Sequence, residues 1–410
     1  MKVKRTEQIW IKPNKQVSNL CHISKNLYNE ANYAIRQEFI HNGKYIFYND
    51  LYPEKRASEN AIWLPAQTVQ QILRNLDKNW KSFFRSIKKW KKHPGKYKAK
   101  PGLPKYKKKD GEHLLVFTNQ NCRIKEGVVK FPPKCNLNIE VKTRIKNEDM
   151  QQVRILPKGY GYVCEIIYWK TITPKELNDK HVLGIDIGLK NLVTLVNNIG
   201  KTPIVVKGNI PKSINQYYNK KYAKILRQFD LQGIKSSKAF YKLLNKRNRK
   251  IKDFFHKLSK FIINYCVETD IGVIVIGHND NWKQKINIGK KTNQNFVQLP
   301  FSLLTQMLQY KGEESGIDIV LQDESHTSKC SFLDCETVEH HARYVGKRVS
   351  RGLFKSANGI IINADVNGGY NIVKKAIPKA FAKARADRIE DVGLHPTRYY
   401  LVNGVFNTRC

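Results

Sequence analysis

Gly272–Gly277 reads GVIVIG, a run of strand length without one polar side chain. A strand that is apolar on both faces must be covered on both, as a central strand in a sheet flanked by helices is. Downstream, Phe301, Leu304, Met307 and Leu308 recur at helical spacing within 300–315. Ile317–Gln322 (IDIVLQ) then returns to strand character before Asp323 and Glu324. Strand, helix, strand is a crossover unit, right-handed by the general rule, so this half of the chain is α/β. His181–Val196 (HVLGIDIGLKNLVTLV) adds two strands about a Gly turn, and residues 215–268 add a basic helical stretch. Residues 326–360 read as irregular, and Ala364–Ala376 (ADVNGGYNIVKKA) as a helix that begins with an acid.

The upstream half has a different texture. Residues 3–11 predict a strand, and Val17, Leu20, Ile23, Leu27, Ala31, Ile35 and Phe39 an amphipathic helix. A loop around 42–60 precedes a second helix from near Pro65, with Val69, Ile72, Leu73, Leu76, Trp80, Phe83, Phe84 and Ile87 on one stripe. Leu114–Phe117, Val128–Phe131, Leu137–Val141, Gln152–Leu156 and Tyr160–Tyr168 are short β-rich runs separated by Gly, Pro and Asn. A small β-barrel or sandwich completed by the N-terminal strand, with a helical insertion, accounts for this order. The fold class is multidomain α+β, with an α/β sheet domain following the β domain.

Charge then narrows the function. The 410 residues carry 74 Lys+Arg against 34 Asp+Glu, a net charge of +40, while 41% hydrophobic residues suffice for buried cores. Such self-repulsion is relieved by a polyanion, and nucleic acid is the obvious one. Between Arg74 and Lys109, 15 of 36 residues are Lys or Arg, with Trp80, Trp90, Tyr97 and Tyr106 interleaved. Cations mixed with aromatics suit phosphate contact plus base stacking, as with RNA or single strands. Lys88, Lys89, Trp90, Lys91, Lys92, Lys107 and Lys108 are candidate contacts here, as are Arg247, Arg249 and Lys250 in the basic helical stretch. No apolar run is long enough to span a membrane and the N-terminal residues lack a signal-peptide pattern, so a soluble, cytoplasmic, nucleoid-associated protein without membrane partners is expected. The eight cysteines read mostly as buried thiols in a reducing compartment.

Three acids stand at element ends: Asp186 in the first strand of the hairpin, Glu324 after the 317–322 strand and Asp365 at the start of the last helix. Phosphodiester hydrolysis with two Mg²⁺ needs such convergent carboxylates. The segments around them, GIDIGLKNLVTLV (184–196), GHNDNWKQKINIGKKTNQNFVQLPF (277–301), YKGEESGIDIVLQDESHTSKCSFLD (310–334) and GKRVSRGLFKSANGIIINADVNGGYNI (346–372), resemble the TnpB (OrfB) family of transposon-encoded proteins. That family is similar to type V CRISPR effectors and carries a RuvC-like nuclease domain of RNase H fold.

The resemblance implies a wedge domain at 1–15 and 96–178, a recognition domain at 16–95, and a RuvC-like nuclease domain at 179–325 and 361–378. It also implies a target-nucleic-acid-binding insert at 326–360, leaving a C-terminal tail at 379–410. Asp186 and Asp365 match the first and third catalytic acids. Many members end the strand equivalent to VIVIG with Glu, where this chain has Gly277. A branch of the family places the acid one strand later, which makes Glu324 the second catalytic and metal-binding acid, with Asp280 and Asp323 as weaker candidates. The family's zinc insert is degenerate here. Cys330 is in place but Leu333 stands at its partner's position, Cys335 falls late, and Lys355 and Asn358 replace the second pair. Zinc is therefore not expected, a local set of Cys330, Cys335, His340 and His341 being the remaining option.

Arg343, Lys347, Arg348, Arg351 and Lys355 make the insert basic, with Arg348 and Arg351 as nucleic-acid contacts. His326, Arg351 and Asn367 are candidates to support the acids. The implied activity is an RNA-guided DNA endonuclease using Mg²⁺, or Mn²⁺, with a guide RNA from the transposon end and a double-stranded DNA target as partners. An RNA-guided repressor that binds without cutting is the alternative. A strand-joining transposase ranks below both.

Overall fold

The computed structural model describes residues 1–279, 298–350, 352–381 and 396–408, arranged as two compact units, Met1–Ile172 and Thr173–Cys410. Asp280, Arg351 and the block Trp282, Lys283, Gln284 and Asn293–Phe296 lie outside the described residues.

In the first unit, strand β1 (Lys2–Ile11) leads into helix α1 (Lys15–Asn42), whose start is capped by Asn14 Oδ1 accepting from the Val17 amide at 3.0 Å. A short helix, α2 (Tyr48–Lys55), occupies part of the expected loop, and α3 (Ala66–Lys92) follows Pro65. Strands β2 (Leu115–Thr118), β3 (Arg123–Lys125), β4 (Val128–Lys130), β5 (Met150–Pro157) and β6 (Tyr162–Thr171) complete the unit. The N-terminal strand does join the β region, pairing with β6 from Lys2–Thr171 to Ile11–Tyr162. The sheet nevertheless runs β1-β6-β5-β2 and stays open, with β3 and β4 a separate hairpin, so the pairings do not close a barrel. Leu137–Val141 is not a strand. It contributes the buried Val141 and runs into an isolated bridge between Lys142 and Val128. One core joins this sheet to the apolar faces of α1 and α3, with Trp80 fully buried.

The second unit is built on β7 (Asn178–Ile187), β8 (Asn191–Asn197), β9 (Ile204–Lys207), α4 (Asn209–Gln232), α5 (Lys238–Glu268), β10 (Ile271–His278), α6 (Phe301–Ser315) and β11 (Asp318–Asp323). After these come β12 (Lys347–Ser350), β13 (Leu353–Lys355), β14 (Ile361–Asn363), α7 (Ala364–Ala376), β15 (Thr397–Val402) and β16 (Val405–Thr408). The mixed sheet has the order β11-β10-β7-β8-β9-β15-β16, with β10 parallel to both β11 and β7. Alternation sorts the residues of β7 and β10 between two cores. Leu183, Ile185, Ile187, Ile274 and Ile276 face the core shared with α5 and α6, while Val182, Val273 and Val275 face the core shared with α7. GVIVIG is thus the doubly covered strand its composition demands.

Two segments depart from the reading of the sequence. The 326–360 region contains a three-stranded sheet, β12-β13-β14, seated on buried Phe354. Residues 397–408 are no tail: β15 pairs with β9 in parallel, Thr397 opposite Ile204, and β16 completes the hairpin. Phe406 locks that hairpin down, its ring 5.8 Å from Phe254 and 5.2 Å from Phe261. Phe406→Ala should cost about 3 kcal/mol, the usual toll for emptying a buried aromatic site, read as a lower denaturant midpoint at unchanged m-value.

Candidate nuclease site

The alternation that buries β7 also aims its acid. Val182 and Gly184 face α7, so Asp186, two residues on, points to the same side. Helix α7 lies so close there that a side chain at Gly184 would meet Val373, with Val196 Cγ2 at 2.9 Å and the Gly369 carbonyl at 3.0 Å. Asn363 caps this helix, its Oδ1 accepting from the Asp365 and Val366 amides at 3.0 and 3.3 Å. Asp365 therefore sits in the first turn, where the helix dipole favours a carboxylate.

Glu324 arrives from the neighbouring strand. β10 and β11 pair through Gly277–Gln322 and His278–Asp323, and Glu324 follows directly. A side chain at Gly277 would fall on Glu324 Oε1, with its Cβ 2.8 Å from Glu324 Cγ and 2.7 Å from Ile372 Cδ1. The Glu324 side chain thus fills the volume that any β-carbon at 277 would need. Its Oε2 accepts from Asn279 Nδ2 at 3.2 Å, whereas Oε1 is buried with no hydrogen-bond partner among the described residues.

Asp186 feels both of the other acids. Burial first, then the Glu324 and Asp365 charges, push the Asp186 carboxyl well above the usual carboxylate range, with Arg348 opposing them. Burial, then Asp323, raises Glu324 to about 7. Asp365 is held on two sides: Asn191 Nδ2 donates to Oδ2 at 2.6 Å, and an Arg348 guanidinium nitrogen lies 3.8 Å from Oδ1. Lys207 Nζ, 2.7 Å from Asn191 Oδ1, fixes which way round that amide stands. Asp323, the weaker candidate, turns outward to Ser325 and to Lys375 Nζ at 3.1 Å, which lower its pKa.

Among the described residues no three His, Cys, Asp or Glu side chains are gathered closely enough to hold a metal as they stand. What the site offers a cation is the buried Glu324 Oε1, without a hydrogen-bond partner among the described residues, beside the Asp186 and Asp365 carboxylates. Hard oxygen donors of this kind suit Mg²⁺ or Mn²⁺. The insert's four potential zinc ligands are otherwise engaged or exposed. Cys330 Sγ contacts the Glu339 carbonyl at 3.6 Å, His340 packs edge-on to His326, His341 contacts the Thr337 carbonyl at 2.8 Å, and Cys335 is exposed.

Two of the candidate supporting residues, Asn367 and His326, serve the insert instead. Asn367 is fully buried, donating to the Cys330 carbonyl at 2.9 Å and accepting from the Phe332 amide at 2.9 Å, while His326 Nδ1 contacts Tyr344 Oη at 3.0 Å. Asn191, Lys207 and Asn279 have no sequence signal for facing the acids, because register and strand pairing alone bring them there.

The basic candidates divide in the same way. Lys88, Lys89, Lys91 and Lys92 are exposed around the C-terminal end of α3, and Trp90 is half-buried with Lys100 Nζ 5.8 Å from its ring. Lys107 turns inward, its Nζ 4.8 Å from the centre of the Tyr28 ring, while Lys108 is exposed. Arg247 is committed to Asn215 and to the Gln298 carbonyl, and it lines a cleft of about 150 Å³ between α4 and α5 with Tyr217, Tyr218, Lys246 and Lys250. Arg249 is exposed, and Arg348 extends from β12 to Asp365.

With this geometry in place, the comparisons are specific. The fold is that of the Cas12f class: a Cas12f1 solved with sgRNA and target DNA superposes at a TM-score of 0.57 and 15% identity, covering 87% of this chain and 81% of that one. Residues 153–283 match the OrfB_IS605 model, described as a probable transposase, and residues 301–372 match the Cas12f1-like TNB domain. A TnpB-like protein, ORF457 of Acidianus two-tailed virus, is 25% identical over 91% of this chain and 87% of its own length. The CRISPR-associated endodeoxyribonuclease Cas12f1 of Sulfoacidibacillus thermotolerans is 30% identical over 131 residues, 32% of this chain and 28% of that protein. The chain is thus similar to TnpB-like (OrfB) proteins over most of its length. No helix among the described residues is long and apolar enough to cross a membrane.

The raised Glu324 pKa has a thermodynamic sign. Its carboxyl binds a proton more readily in the folded chain, so stability is greatest below the ordinary value of 4.5 and is lost as pH rises through about 7. In metal-free buffer at pH 8, Glu324→Gln should be more stable than the parent by on the order of 1–2 kcal/mol, after discounting for partial exposure. Denaturation curves across pH should show that difference disappearing by about pH 4.5.

Proposed function

We propose that this protein is an RNA-guided DNA endonuclease in which Glu324, rather than a residue at 277, is the second acid of a RuvC-like site. The observation that carries the reading is the exchange of space between Gly277 and Glu324. The missing side chain on one strand is replaced in volume by a carboxylate from the next, in electrostatic reach of Asp186 and beside Asp365's helix.

Asp186, Glu324 and Asp365 would hold the divalent cations, Mg²⁺ or Mn²⁺, which when bound supply Lewis-acid stabilisation of phosphoryl charge and a more acidic water. The chain's own groups prepare the rest. Lys207 and Asn191 orient Asp365, and Asn279 orients Glu324. Arg348, on an exposed strand of the insert, can exchange its contact with Asp365 for a phosphate of the strand to be cut, which frees an Asp365 oxygen as substrate arrives. Sequence choice would rest with pairing to a guide RNA, supplied by the transposon end, against a double-stranded target. The protein would read duplex shape and a short adjacent motif. The endodeoxyribonuclease relative and the Cas12f fold support this reading, and the +40 charge fits it independently.

The test is to copurify the protein with RNA from its own locus and challenge the complex with a target-plasmid library in Mg²⁺. Asp186→Ala and Glu324→Ala should each lower cleavage by at least about 10²-fold while retaining RNA binding. Gly277→Ala, which displaces the Glu324 carboxylate, should also cut poorly. Gly277→Glu combined with Glu324→Ala should recover part of the activity. Guided binding without cutting by the parent protein would leave a repressor instead, and full cutting by Glu324→Ala would remove Glu324 from the site.

A further inference from the structure

Helix α1 carries, besides its apolar face, a polar stripe at His22, Lys25, Asn29, Asn32 and Arg36, spaced three or four residues apart. Every one of these side chains contacts a backbone carbonyl in one irregular segment, residues 104–111. His22 Nδ1 lies 3.3 Å from the Gly111 carbonyl, and Lys25 Nζ donates to that of Lys109 at 2.6 Å. Asn29 grips Lys107 twice, donating to its carbonyl at 2.9 Å and accepting from its amide at 2.8 Å. Asn32 and Arg36 both donate to the Pro104 carbonyl, at 3.1 and 3.0 Å. The partners descend as the helix ascends, so the segment runs antiparallel along α1.

Holding this strap uses unusual groups. Lys25 is only 4% exposed and Asn32 is fully buried, its other amide atom accepting from Trp80 Nε1 at 3.0 Å. A buried ammonium is costly unless it is well bonded, and a plain connector has no need of one. Because the helix takes the strap's backbone, other side chains are left to point outward while Lys107 turns inward over Tyr28. Lys105, Lys108 and Lys109 are exposed on a fixed track, and Tyr106, 44% exposed, lies under the Arg36 guanidinium at 5.0 Å.

We infer that residues 104–111 form a pre-organised cationic rail that binds the sugar–phosphate backbone of single-stranded RNA, with Lys105, Lys108 and Lys109 on phosphates and Tyr106 as a base platform. Like-charged side chains on a free loop spread apart and lose freedom when they bind. Clamping the backbone removes that loss beforehand. The exposed aromatic ring among the cations favours a strand with accessible bases over a duplex, which hides them. The inference rests on the RNA-binding part of the function proposed above and not on cleavage.

The test uses the full chain, stripped of copurified nucleic acid, and fluorescence anisotropy with a labelled uridine-rich RNA of about 20 nucleotides and a DNA duplex across a salt series. Lys105→Gln, Lys108→Gln and Lys109→Gln combined should flatten the slope of log K against log salt by about 2, from three lost contacts on a single strand, and weaken RNA binding by at least about tenfold. Asn29→Leu keeps every cation but unpins the strap, and should weaken RNA binding several-fold with the slope unchanged. Surface Lys→Gln changes leave the core intact, so misfolding does not confound the triple variant. An unchanged slope in that variant overturns the rail. Unchanged RNA affinity in Asn29→Leu overturns the clamping, and an equal or greater loss on duplex DNA overturns the choice of RNA. A parent protein that binds RNA poorly would instead defeat the proposed function itself.

Discussion

Repulsion among like charges is the constraint on which the second unit depends. Asp186 and Glu324 are partly buried, which makes both less willing to ionise; the Glu324 and Asp365 charges add to this at Asp186, and Asp323 adds to it at Glu324. No isolated strand or turn would keep them together. They are held because each is rooted in something fixed: a doubly buried strand for Asp186, an edge strand paired to the buried β10 for Glu324, and a capped helix pressed onto the sheet for Asp365. The close approach of α7, through Gly369, to Gly184 and Val196 of the sheet is the mechanical side of this arrangement. Packing supplies the force that electrostatics opposes, and the resulting tension is what a divalent cation would relieve.

The same balance appears in reverse in the first unit. There the like charges are positive, and the fold holds them apart by their backbone rather than together by their roots. Trp80, a fully buried residue of α3, links the two halves of that device, its indole nitrogen donating to Asn32 of α1. Each unit therefore fixes a patch of one sign against its own repulsion. In the function proposed, the opposite sign would arrive with ligand: a cation for the acids, phosphates for the lysines.

Much of this was legible in the sequence, for physical reasons that differ from element to element. GVIVIG had to be a buried strand because four β-branched apolar residues in a row between glycines leave no polar face to turn to water. The stripes of α1 and α3 were plain because their apolar periodicity is long. The edge elements were not. Leu137–Val141 looks like a strand from composition but finds no long partner, and β12 to β14 are short strands among polar residues whose pairing no local pattern announces. Residues 397–408 become part of the sheet only because β9 has an open edge, a fact about tertiary structure. At the site, Asp186, Glu324 and Asp365 could be named from their element ends and surrounding words. Asn191, Asn279 and Lys207 could not, since an Asn or Lys in a strand end is ordinary until register decides what it faces. Lys107 and Arg247 show the complementary problem: two cations in basic runs whose side chains are turned onto Tyr28 and Asn215.

Helix α7 has one further property. Asn367 and Asn371 reach from its buried side into the insert, and Asn371 Nδ2 donates to the Thr327 and Cys330 carbonyls at 2.9 and 2.7 Å. Phe332 stacks on Tyr370 of the same helix at 4.6 Å. The insert and the helix that carries Asp365 are thereby riveted into one piece. A load applied to the insert's exposed strands is delivered, without slack, to the carboxylate at the helix's first turn.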